Sequence, residues 1–95
     1  MDMKSLFKNK IGAVDFNWMT DYILNELCKN GFVYFDNLYH PITGESAEGY
    51  QLSYFGTDIF IYEEVIIVFS DGLIQEEFYI ESNFIEAFNK IKNIL

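Results

Sequence analysis

An Asp-Gly pair at 71–72 stands between VIIVFS and LIQEEFYI, two runs built largely from strand-forming residues. A two-residue hairpin turn of type I′ needs positive φ at both central positions, and Asp-Gly is among the few pairs that adopt it without strain. The chain is therefore expected to reverse here and to pair residues 58–69 with 73–80 antiparallel. Gly56-Thr57 offers a second reversal, a type II′ turn with glycine at its first central position, after a strand YQLSYF at 50–55. Residues 58–69 read as one long bent strand or as two short ones broken near Glu63-Glu64. FVYF at 32–35 is a further short strand, and Pro41, Gly44 and Gly49 mark 36–49 as a loop.

Helical periodicity brackets this β-rich middle. Phe16, Met19, Ile23 and Leu27 fall on one stripe with Tyr22 beside it, which predicts a helix over 16–30 capped by Asp15 and stopped by Gly31. Phe84, Phe88, Ile91 and Leu95 line a face of a second helix over 83–94. Ser82 or Asn83 caps it, Glu86 lies in its first turn, and Lys90 and Lys92 complement its negative end. Residues 2–10 read as a short helix or as irregular chain. The expected fold is α+β, one domain over 1–95, with three to five antiparallel strands and the N-terminal and C-terminal helices packed on one face.

The chain has 95 residues, half of them hydrophobic, enough for a single core. Its charge layout is more telling than its formal net charge of −9. Lysine occurs at 4, 8, 10, 29, 90 and 92, and arginine is absent, so residues 30–89 carry no strong base. The same stretch holds eleven acids, among them Asp36, Glu45, Glu48, Glu81 and Glu86. Such a body repels nucleic acid and anionic membrane and attracts a basic surface.

The turn positions allocate side chains to faces, because directly opposed residues share one. On this register Tyr50, Leu52, Tyr54, Ile59, Ile61, Val65, Ile67, Phe69, Ile74, Phe78 and Ile80 form a core face under the helices. The opposite face mixes Phe60, Tyr62, Ile66, Val68 and Tyr79 with Glu64, Gln75 and Glu77, and no third long helix is available to cover it. An aromatic face carrying carboxylates is expected to contact a partner, with Asp58, Phe60, Tyr62, Glu64, Asp71, Glu77 and Tyr79 as the binding residues. The plainer alternative is that the acids only protect an exposed sheet from aggregation.

Catalytic patterns are missing from the sequence. His40 is the only histidine and Cys28 the only cysteine, which rules out an intrachain disulfide and the usual zinc ligand sets. His40 reads as a turn residue, Cys28 as a small buried hydrophobe and Trp18 as core packing. No phosphate-binding glycine loop or calcium loop occurs. The expectation is a non-enzymatic, cytoplasmic protein that needs no cofactor or metal and exists as a monomer or weak dimer. It would occlude a basic, nucleic-acid-processing protein, as an immunity protein or antitoxin does against a nuclease toxin. Two alternatives remain at this stage: a phage or mobile-element anti-defence protein that mimics nucleic acid (of anti-CRISPR or anti-restriction type), and a structural homo-oligomerisation module.

Overall fold

The computed structural model describes residues 16, 18–80 and 84–93. Helix α1 (Asp21–Lys29) leads into five strands, β1 (Val33–Tyr39), β2 (Ser46–Tyr54), β3 (Thr57–Ile61), β4 (Val65–Ser70) and β5 (Leu73–Tyr79), and α2 (Phe84–Lys92) follows. The strands form one antiparallel meander in the order β1-β2-β3-β4-β5. The α+β class is as expected, with five strands. The expectations for Asp15, Ser82, Asn83, Leu95 and the segment 2–10 lie outside the described residues.

Helix α1 starts five residues later than the apolar stripe suggests. Thr20 is its N-cap: it has extended backbone, and its hydroxyl accepts from the Ile23 amide. Phe16 and Met19 are buried although they precede the helix. Periodicity located the burial correctly and misplaced the helical boundary. At the other end Asn30 caps α1, and Gly31 takes φ of 90°. Buried Glu26 ties the helix ends of the chain together, receiving the Tyr22 hydroxyl at 3.3 Å and the Lys92 ammonium at 3.5 Å.

The expected loop at 36–49 is mostly sheet. β1 and β2 run on through it to a tip at 40–45, and a bulge sets Asp36 and Asn37 against Glu48. The Gly56-Thr57 turn is also corrected: Tyr54 pairs with Thr57, so Phe55 and Gly56 are the central residues. Moving a two-residue turn by one position shifts partners by two, which preserves the faces. Leu52 accordingly opposes Ile59 and Tyr50 opposes Ile61, all still on one side. Asp71-Gly72 forms its turn as expected, with φ of 56° and 76° and Ser70 paired to Leu73.

Residues 58–69 are two strands, and the break inverts the expected faces of β4. The Tyr62 amide donates to the Val65 carbonyl and Ile61 pairs with Ile66, leaving Glu63 and Glu64 as the centre of a two-residue turn. A bent strand would keep odd residues on one face throughout; a tight reversal exchanges odd for even. Ile66 and Val68 therefore join the main core, where buried residues of α1 and α2 meet Tyr50, Ile59, Ile61 and Ile80. Phe16 meets Tyr50 edge-on, and Phe32 lies 6.2 Å from Phe88. Val65, Ile67, Phe69 and Ile74, expected in that core, lie on the opposite side. One more bulge, at Gln75, places Glu76 opposite Val68 and Glu77 opposite Ile67.

That opposite side has a small core of its own. Leu38, Phe60, Tyr62 and Ile67 are buried together, with Val65, Phe69 and Ile74 packed against them. Gly49 makes this possible. A Cβ there would lie 2.5 Å from the Ile61 carbonyl oxygen and 3.0 Å from a Leu38 methyl, so only glycine lets these strands and side chains approach.

Candidate protein-binding surface

The seven residues expected to form one contact face are distributed differently. Phe60 is 6% exposed and Tyr62 is 9% exposed, so neither presents an aromatic anchor to a partner. They stack parallel to one another, 6.4 Å between ring centres, inside the second core. Glu64 belongs to a turn, away from the sheet face. Glu77 and Tyr79 are exposed on β5, an edge strand, and the Tyr79 hydroxyl donates to the Glu77 carboxylate at 3.3 Å. Asp58 is half-buried and accepts from the Ser53 hydroxyl at 2.6 Å; Asp71 is exposed in its turn.

The Glu63-Glu64 pair is explained by its place in the chain. Both backbone carbonyls of the turn are bound, Glu63 by the Trp18 indole N–H at 2.6 Å and Glu64 by the Ile80 amide at 3.0 Å. Trp18 itself stacks on Phe84 with ring centres 4.1 Å apart, in keeping with its expected packing role. The backbone of the turn is thus tied to the core while both carboxylates stay exposed.

An open cleft of about 410 Å³ lies between this turn and the β1–β2 tip, lined by His40, Glu45, Tyr62, Glu63, Glu64 and Val65 among others. His40 holds the tip: its Nδ1 accepts from the amides of Ile42 and Thr43, each at 3.1 Å. The Tyr62 hydroxyl is buried without a hydrogen-bond partner among the described residues, and burial pushes its pKa up to about 12. The cleft was not legible in the sequence, because it joins two tips, 40–45 and 63–64, that are distant in the chain.

Carboxylates dominate the surface beyond the cleft. Of the ten described acids between residues 30 and 89, nine are exposed and only Asp58 is half-buried. Glu48 accepts from the Tyr34 hydroxyl at 3.1 Å. That phenol is held well above its ordinary range, first by burial and then by bonding to Asp36 and Glu48. Cys28 is half-buried, and desolvation raises its thiol, which disfavours the nucleophilic thiolate. It sits in α1, before β1, whereas His40 follows the far end of that seven-residue strand, on the order of 20 Å away at 3.3 Å per residue. Among the described residues no group of three or more His, Cys, Asp or Glu side chains could hold a metal ion, and no helix is long and apolar enough to cross a membrane. No protein-family model, curated protein or solved structure matches this chain.

Proposed function

We propose that this protein is a small acidic inhibitor that binds and occludes a basic protein, one whose own substrate is nucleic acid. A single observation carries the proposal: a sixty-residue stretch without lysine or arginine puts nine carboxylates on the surface. Interspersed charge would serve solubility equally well and avoid self-repulsion, so a one-signed field is a cost that recognition of an oppositely charged surface can offset. Nucleic-acid-processing enzymes carry such a surface, because they must neutralise phosphates. Immunity against a nuclease toxin and blockade of a defence nuclease are two settings for the same chemistry. The proposal takes both helices as cover for one face of the sheet, a view supported by their shared core cluster with Tyr50, Ile59 and Ile61. The edges and turns are then left to the partner, in a cytoplasmic setting.

The test is inhibition of a panel of purified basic nucleases, followed by stopped-flow association with the nuclease that responds. Complementary charge acts mainly on the association rate, so that rate should fall at least tenfold between low and high salt. The double variant Glu64→Lys with Glu77→Lys, both exposed positions, should fold normally and bind sharply more weakly. An association rate indifferent to salt, with the double variant still binding at full strength, would sink the proposal. A homodimer persisting at every salt concentration would favour the oligomerisation module instead.

A further inference from the structure

Two turns of the sheet share a backbone conformation and differ in residue chemistry. Asp71-Gly72 and Phe55-Gly56 both close two-residue hairpins, with φ of 56° and 76° in the first and 46° and 82° in the second. Aspartate suits the left-handed position, since its short polar side chain bonds to nearby backbone. Phenylalanine does not: its Cβ crowds the following carbonyl, and a bulky residue there is an outlier. Burial does not compensate, because Phe55 is 91% exposed, more than any other large hydrophobic described. Its one ring contact among the described residues is an edge-on approach to Tyr54, with centroids 4.6 Å apart. The fold thus gains little from this ring and bears its conformational strain. Strain at an exposed, bulky side chain points to use outside the fold.

The surroundings say what kind of use. Thr57 pairs with Ser70, so the two turns lie at the same end of the sheet, about 10 Å apart at two strand spacings. Tyr54 and Leu73 are exposed beside them, and the charged side chains on these turns and their flanking strand ends are Asp58 and Asp71. We propose that this turn pair is a docking surface for a basic protein, with the Phe55 ring entering an apolar pocket and Lys or Arg on the pocket rim meeting Asp58 and Asp71. Central apolar anchors ringed by charge are the usual anatomy of a tight contact. A second copy of this chain fits poorly, because a symmetric contact would set carboxylate near carboxylate. The inference rests on the reading that the partner is basic, and it adds where that partner is gripped.

A displayed library of random 12-residue peptides, selected on the wild-type protein with Phe55→Asn as counter-target, tests it. Asparagine suits the left-handed position, so the variant should melt at the same temperature as wild type or higher. Enriched peptides should combine aliphatic or aromatic residues with Lys or Arg, and their Kd should rise at least tenfold on Phe55→Asn. Peptides that bind both proteins alike, peptides without basic residues, or no enrichment would overturn the docking surface. So would a wild-type dimer that Phe55→Asn dissolves, or a clear loss of melting temperature in the variant. Failure here is separable from failure of the charge proposal: Glu64 lies at the opposite end of the sheet and Glu77 midway along its edge. If reversing those two weakens nuclease binding while Phe55→Asn has no effect, only the docking surface falls.

Discussion

The Tyr62 hydroxyl is buried and has no partner among the described residues, which makes that residue sensitive to pH and to small substitutions. Its folded-state pKa of about 12 lies above the ordinary value of 10.0, because burial disfavours the phenolate. The unfolded chain therefore releases this proton first. Stability is full below pH 10 and declines as pH rises towards 12, by up to about 1.4 kcal/mol per pH unit. Tyr62→Phe should flatten part of that decline in urea melts compared at pH 7 and pH 10.5. Tyr34 and Cys28, raised in the same direction, contribute to the remainder. At pH 7 the variant should match wild type or gain up to about 1 kcal/mol, since it removes a polar group left unsatisfied in the interior. A loss above that size would mean that the hydroxyl has a partner. Gly49 is the other exacting position. Gly49→Ala would force the added methyl against a backbone oxygen on the neighbouring strand, and should cost about 1–3 kcal/mol by urea unfolding. An unchanged midpoint would show that the strands can part without penalty.

Among the elements, helix α1 shows how burial and helical structure can separate. Its apolar stripe begins at Phe16, yet the helix begins only where Thr20 supplies a hydroxyl to an otherwise unbonded amide. Thr20→Ala should destabilise the protein by about 1 kcal/mol, and Thr20→Asp should restore the loss. Thermal melts of the pair check this, and a neutral alanine variant would mean that packing alone sets the start of the helix. The three turns between β2 and β5 differ in the same instructive way. Asp71-Gly72 has suitable residues for its conformation; Glu63-Glu64 is held by outside bonds from Trp18 and Ile80; Phe55-Gly56 relies on its glycine while the phenylalanine stays strained. Only the first could be placed correctly from local residue preferences.

For the molecule as a whole, the unbalanced charge bears on stability and, under the proposed function, on association. With a net charge of −9 and its carboxylates mostly exposed, the folded state repels itself. Raising NaCl from ~10 mM to ~500 mM shortens the Debye length from roughly 30 Å to below 8 Å, and the melting temperature should rise accordingly. A melting temperature indifferent to salt would show that the carboxylates are spaced too widely to interact. The same screening should slow association with a basic partner, so stability and binding are expected to respond to salt in opposite directions.

The sequence by itself determined the class of the fold, the identity of most residues of the main core, the Asp71-Gly72 hairpin and the predominantly acidic surface. Each is a local or additive property: apolar periodicity, a turn pair with special φ, a count of charges. Tertiary structure decided the rest. The Glu63-Glu64 reversal carries no glycine or asparagine, so alternation read through it assigned β4 to the wrong faces. The bulges at Asp36-Asn37 and Gln75 are choices of partner between strands, which neither strand encodes alone. Gly49 looked like loop punctuation until Leu38, Tyr62 and the Ile61 carbonyl were brought around it. Together these long-range pairings closed a face expected to be open, burying Phe60 and Tyr62 and leaving the edges and turns as the accessible surface. Side-chain alternation specifies a face only relative to a register, and the register is fixed by contacts between segments distant in the chain.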